Sequence, residues 1–318
     1  MIKKLTRDHI EAELAALAAL IAAAPDDDIL GRMSLESRRD ELQRELTALN
    51  ASAENRAKIA LYFGGEPVVG STGVEVGFGA DSLFTFQDLI TKVWAAGAGQ
   101  LAPMGPIPDR AASQLHITSL VHGSFGFLLE ELDEHGEPLF ESPLKAAADR
   151  TAAYIADIAD ANESRFVETL EVLDPRVFSA VRNFFGTVHR ANATFRVVEG
   201  DTDARFDRVA IERAWSRIEA SEMEEEHITI EGQLLGMIPV GRRFEFDPDG
   251  ATKIIKGKVG EQFSQTYLER MKDEQFAGRR WKAVLHHKIV QRRGRPPLDS
   301  YTLLELNEID ESGDKGRA

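Results

Sequence analysis

The apolar residues of this chain change their spacing several times, and that succession of periods restricts it to a mixed α+β architecture in separate parts. Near the N-terminus Ile10, Leu14, Leu17 and Ile21 step by 4-3-4, and Leu35, Leu42 and Leu49 recur every seven residues with Leu46 between. A seam this narrow belongs to helices that pack in pairs. The spacing predicts one helix over 7–24, broken by Pro25 to Asp28, and a second opening near Ser34 as its N-cap. Together they form a helical hairpin or short coiled coil over 1–53. The eight apolar residues are candidates for self-association, the alternative being that the seam packs on the rest of the chain.

A period of two follows. Ile59, Leu61 and Phe63 alternate as in a strand, and Val68-Val69, the turn Gly70 to Gly73, and Val74, Val76 and Phe78 read as a hairpin. A helix is expected over 81–96, then a Gly/Pro loop over 97–109, then strands around Leu115 to Val121 and Phe125 to Leu132. Helical spacing returns over 142–190, where Ser142-Pro143 and Asp174-Pro175 each place a capping side chain before a proline in the first turn. Strands at 194–198 and 204–206 and a helix over 207–220 complete a central α+β region, 54–221. Glu222 to Glu226 reads as an acidic linker, with docking onto a basic partner surface as its alternative.

The last stretch, 227–310, predicts strands at 227–238, 242–247, 252–259, 279–290 and 299–308 and a helix over 260–275 between the third and fourth. That is the element order of an OB-fold, a small five-stranded β-barrel, which it resembles over about eighty residues. An SH3-like or other small barrel is the competing architecture. The tail 311–318 is expected to fray.

Composition removes several chemistries. The 318 residues include no cysteine, which excludes disulfides, thiolate metal sites and cysteine nucleophiles. This fits a cytoplasmic protein. Asp8, Glu11 and Glu13 spoil an N-terminal signal sequence, and the longest apolar run, Leu14 to Ala24, is too short to span a bilayer. Neither a cofactor nor a metal is expected, because the histidines form no ligand pattern and His286-His287 point to opposite faces of a strand. Gly65 to Ser71 has a phosphate-loop frame without its lysine. His122-Gly123-Ser124 has part of a nucleophile elbow without its first glycine, so an unrecognised hydrolase is a minor reading. Asp201-Thr202-Asp203 and Asp247 to Gly250 read as turns rather than cation sites.

Charge points to a binding surface. The net charge is −15, yet between 251 and 297 twelve basic residues face four acidic ones. On an OB-like barrel Arg242 and Arg243 in the first loop, Lys253, Lys256 and Lys258 on the strands, and Arg292, Arg293 and Arg295 in the last loop would converge on one face. Phe244 and Phe246 could stack on bases if they faced outward. Arg293-Gly294-Arg295-Pro296 also contains the core of an AT-hook. The expected function is a non-catalytic interaction or adaptor protein that self-associates through its helices and presents this barrel to a protein partner. Nucleic-acid binding by the basic face is the alternative, and no membrane partner is expected. A place in a bacterial multi-protein defence or stress system is a further reading that no residue carries.

Overall fold

Asp28, not Ser34, starts the second helix: its carboxylate accepts a hydrogen bond from Gly31 N at 2.9 Å. Helix α1 spans Lys3–Ala23 and α2 spans Ile29–Ala51 in the computed structural model, which describes residues 2–25, 28–99, 101–102, 104–121, 125–132, 138–251, 253–273 and 279–309. The seam closes between these two helices of one chain. Ile10, Leu17 and Leu42 are buried, with Leu14, Leu35, Leu46 and Leu49 packed around them and Ile21 half-buried at the end.

The chain divides into two compact units, 1–218 and 219–318, and the hairpin belongs to the first. That unit is built on an antiparallel sheet in the order β4-β5-β1-β6-β7, from His116–Val121, Phe125–Glu130, Lys58–Gly65, Ala193–Glu199 and Thr202–Phe206. The central strand β1 is buried continuously from Ile59 to Phe63, which requires cover on both faces. The N-terminal turn of α1 covers one face, where Ile2 and Leu5 pack on Ala60, Tyr62, Leu128 and Val198. On the other, Phe86 of α3 (Val76–Gly97) and Phe184 of α6 (Pro175–Arg190) stand 5.5 Å apart, and Phe184 meets Phe195 of β6 at 5.1 Å. Helices α4 (Pro143–Ala159), α5 (Glu163–Val172) and α7 (Arg208–Glu219) complete this unit.

The expected caps act as such: Ser142 Oγ accepts from Lys145 N at 2.9 Å, and Asp174 Oδ1 accepts from Arg176 N at 2.7 Å. The hairpin expected at 68–78 is a stub of two short strands, β2 (Val68–Val69) and β3 (Gly73–Val74). Val76 and Phe78 belong to α3, because Phe78, Ser82 and Phe86 form a buried i, i+4 face that outweighs the local alternation.

The second unit contains β8 (Ser221–Ile238), β9 (Arg243–Pro248), β10 (Ile255–Val259), α8 (Gln265–Asp273), β11 (Arg280–Arg292) and β12 (Arg295–Glu308). The five strands close in the ring β10-β12-β11-β8-β9, every contact antiparallel except the parallel one between β10 and β12. Leu234, Phe244, Phe246, Val259, Leu268, Trp281, Leu285 and Leu303 fill the interior. Two glycines permit the tight winding. A Cβ on Gly232 would lie 2.1 Å from Asp247 O, and one on Gly257 would lie 2.3 Å from Tyr301 O.

The acidic segment Glu222 to Glu226 is not a linker. It forms the first half of β8, paired with β11 so that Glu226 faces His287 and Glu225 faces Lys288. With these glutamates included, residues 219–318 hold nineteen acidic and sixteen basic side chains, so the unit as a whole is not basic. No helix among the described residues is long and apolar enough to cross a membrane.

Candidate functional site

Alternation along β9 decides what the barrel shows to solvent. Phe244 and Phe246 point inward and are fully buried, so they offer no face to a base. Arg243 and Glu245 point outward. The register joins Arg243 to Ile238 of β8 on one side and to Lys258 of β10 on the other. Ile238 is 55% exposed, and Val240 in the β8–β9 loop is 85% exposed. Lys253 and Ile254 are exposed just before β10. The outcome is a surface of aliphatic side chains interleaved with cations.

The eight basic residues expected to converge take different roles. Arg243, Lys253 and Lys258 are exposed and make no ion pair with described residues. Lys256 is occupied by Glu245 at 2.7 Å. Arg242 faces the protein: its guanidinium donates to Val259 O at 3.3 Å, to Gly260 O and to Phe263 O at 2.8 Å. It occupies the left-handed region (φ 49°) after Gly241 (φ 90°), so the tight loop is pinned to the segment leading into α8. Replacing Arg242 by alanine removes three charge-assisted bonds that tie the loop to the segment before α8, although Gly260 O keeps the backbone N–H of Phe263 at 3.2 Å. The expected cost to the barrel is about 2 kcal/mol, readable as a lower denaturation midpoint of the second unit.

Arg292, Arg293 and Arg295 lie elsewhere. They flank the β11–β12 turn, where Arg292 pairs across the ladder with Arg295, and the ladder places Arg292 opposite Ser221 at the start of β8. Arg243 lies opposite Ile238 at the other end of that strand. The ladder thus separates two basic groups rather than joining them. Gly294 (φ 73°) sits in the tight turn, so Arg293-Gly294-Arg295 is a hairpin tip and not the extended arm of an AT-hook.

Two of the four glutamates in the acidic half of β8, Glu225 and Glu226, meet histidines of β11. His287 lies between two carboxylates, with Nδ1 3.1 Å from Glu226 Oε1 and Nε2 3.0 Å from Asp299 Oδ1, and its ring stacks on Tyr301 at 4.4 Å. His286, on the opposite face, approaches Glu225 Oε2 at 3.1 Å.

A second polar cluster lies in the first unit. Glu199, at the end of β6, is completely buried and faces α4, where Lys145 Nζ is 2.7 Å from Glu199 Oε1 and 2.7 Å from Asp149 Oδ1. Burial first, and then contact with the Asp149 carboxylate, pushes the Glu199 carboxyl up to about 9. Burial would also raise Asp149, but its contacts with Glu199 and Lys145 overcome that and hold it below the usual carboxylate range. The site carries a lysine cation, one carboxylate and one neutral acid. Lys145 and Asp149 stand four residues apart on α4, the spacing of a helical ion pair, whereas no local pattern marks Glu199.

His122 and Ser124 lie outside the described residues. Asp201 and Asp203 flank a hairpin and are held by Arg7 at 2.7 Å and Arg196 at 2.6 Å. Asp249, in the turn after β9, pairs with Arg280. Ile238, Val240 and Ile254 had a weak sequence signal, being aliphatic residues at or beside turns where polar ones are usual. Compared with known proteins, the chain matches no family model, no curated protein and no solved structure.

Proposed function

We propose that the chain is a cytoplasmic, non-catalytic interaction protein whose C-terminal barrel holds a protein segment of acidic and aliphatic character on the outer face of β8, β9 and β10. The strand ring, its single parallel contact between third and fifth strands, and the helix between third and fourth support reading the unit as an OB-type barrel. Barrels of that type bind ligands on the second and third strands and adjoining loops, which here are β9, β10 and the loop bearing Val240. The observation that carries the choice of partner is the row Ile238–Arg243–Lys258 with Val240 and Ile254 beside it. Exposed aliphatic groups gain from burial against another apolar surface, and the free cations select acidic neighbours.

Single-stranded nucleic acid is the second reading, favoured by the cations at Arg243, Lys253 and Lys258. It lacks the aromatic platform on which bases stack, since Phe244 and Phe246 are inside.

Selection from a random peptide library on the intact chain separates the two. Enrichment of acidic–aliphatic peptides is expected, with affinity lost at least about tenfold, roughly 1.4 kcal/mol, in the Arg243→Glu, Lys258→Glu variant. Failure to enrich such peptides, together with oligonucleotide binding that weakens steeply with salt, would replace this reading by the second.

A further inference from the structure

The five-stranded sheet of the first unit ends in two edges of different character. Edge strand β7 carries Asp203 and Arg205, and Asp203 is locked to Arg196 at 2.6 Å. Charges of this kind discourage a further strand from pairing. Edge strand β4, His116-Ile117-Thr118-Ser119-Leu120-Val121, contains no Asp, Glu, Lys or Arg. All of it except Val121 is exposed, with Ile117 at 58% and Leu120 at 53%, and no described strand pairs with its outer side.

The register with β5 shows which face each side chain takes. Ile117 is opposite Leu129 and Leu120 opposite Phe127, on one face; His116, Ser119 and Val121 are opposite Glu130, Leu128 and Gly126, on the other. Thr118 is the additional residue of a bulge, and its hydroxyl donates to Glu130, so its side chain joins the second face. Without the bulge, Ile117 and Leu120 would point to opposite faces. With it, the order of faces along His116–Val121 reads the same in both directions.

From this palindrome we propose that β4 is a homodimer interface, in which it pairs antiparallel with β4 of a second copy and joins two five-stranded sheets into one. The two-fold axis falls between Thr118 and Ser119. Ile117 then lies opposite the partner's Leu120, Thr118 opposite the partner's Ser119, and His116 opposite the partner's Val121, with faces matched at each position. Both ladders gain the hydrogen bonds that an open edge lacks, and four aliphatic side chains meet on one face. An isologous contact of this kind needs one patch that complements itself, and the bulge supplies the symmetry. A strand from an unrelated protein would have no need of a palindrome.

The test is sedimentation of the full chain with two sets of variants. The intact protein is expected to dimerise. Leu120→Lys, a surface change that places like charges near the axis, is expected to abolish the dimer while far-UV circular dichroism is unchanged. Because the chain has no native cysteine, His116→Cys and Val121→Cys proteins can be mixed and oxidised. Directly opposed Cα atoms are about 5 Å apart, within disulfide reach, so the mixture should form covalent dimers and His116→Cys alone should not. A monomeric intact chain, a dimer that survives Leu120→Lys, or a dimer whose mixed cysteine variants do not cross-link would each overturn the proposal.

Discussion

Lys145→Met is expected to lower the stability of the first unit by about 2 kcal/mol. The cost comes from what remains. Glu199 is enclosed at the end of β6, and Lys145 is the cation beside it, 2.7 Å away and itself almost fully buried. Methionine fills the space of the lysine stem but leaves the buried Glu199 oxygen without its charged donor and the single negative charge, on the half-exposed Asp149, without its counterion. Chemical denaturation at neutral pH, following the helical signal, measures this, and an effect under about 1 kcal/mol would mean that the cluster behaves as a surface ion pair.

The same cluster fixes a pH dependence. Glu199 holds its proton in the folded protein up to about 9, whereas an exposed glutamate releases it near 4.5. Between those values the folded state binds a proton that the unfolded state has lost. The stabilisation from neutral Glu199 is therefore complete below the lower value and is lost as the pH rises toward the higher one. Glu199→Gln keeps the shape and a donor toward Asp149 but cannot ionise. Its stability relative to the wild type is expected to rise from pH 5 to pH 9, so thermal melts of both proteins across that range should diverge in its favour.

The second large effect belongs to the barrel. Gly257→Val is expected to cost about 3 kcal/mol and to unfold the second unit without unfolding the first. A side chain at this position would begin 2.3 Å from the backbone oxygen of Tyr301 and 2.7 Å from the ring of Phe244, so β10 could not keep its place between β9 and β12. Tryptophan fluorescence reports the loss, since Trp281 lies in the barrel core. Gly236 has open space at the corresponding position, and Gly236→Val is the matched control that should leave the barrel folded.

What could be read from the chain beforehand follows from how far each signal reaches. The seam of Ile10, Leu14, Leu17 and Leu42, the caps Ser142 and Asp174, and the element order of the barrel are local patterns, and each one has its structural counterpart. The acidic run Glu222 to Glu226 looked solvated because its partners are about sixty residues away, on β11. Arg242 looked available to a ligand because its acceptors, the carbonyls of Val259, Gly260 and Phe263, carry no sequence signature. Phe244 and Phe246, two apart on a strand, share a face, but which face that is depends on ring closure. Glu199 carries no mark for a similar reason: a single glutamate ending a strand is ordinary until a helix from elsewhere buries it.

The parallel contact between β10 and β12 sets an order of assembly during synthesis. Strands β8, β9, β10 and β11 leave the ribosome before β12, and until residues near Thr302 and Leu303 emerge, β10 and β11 each keep one edge without a neighbour. No earlier hairpin can substitute, because a parallel contact cannot be made by a strand that simply turns back. The nascent barrel therefore waits open, its core only partly enclosed, and becomes a closed ring in one late step. Chains interrupted before that point present two vacant edges at once, so premature termination in the last strand should yield aggregates rather than a shortened barrel.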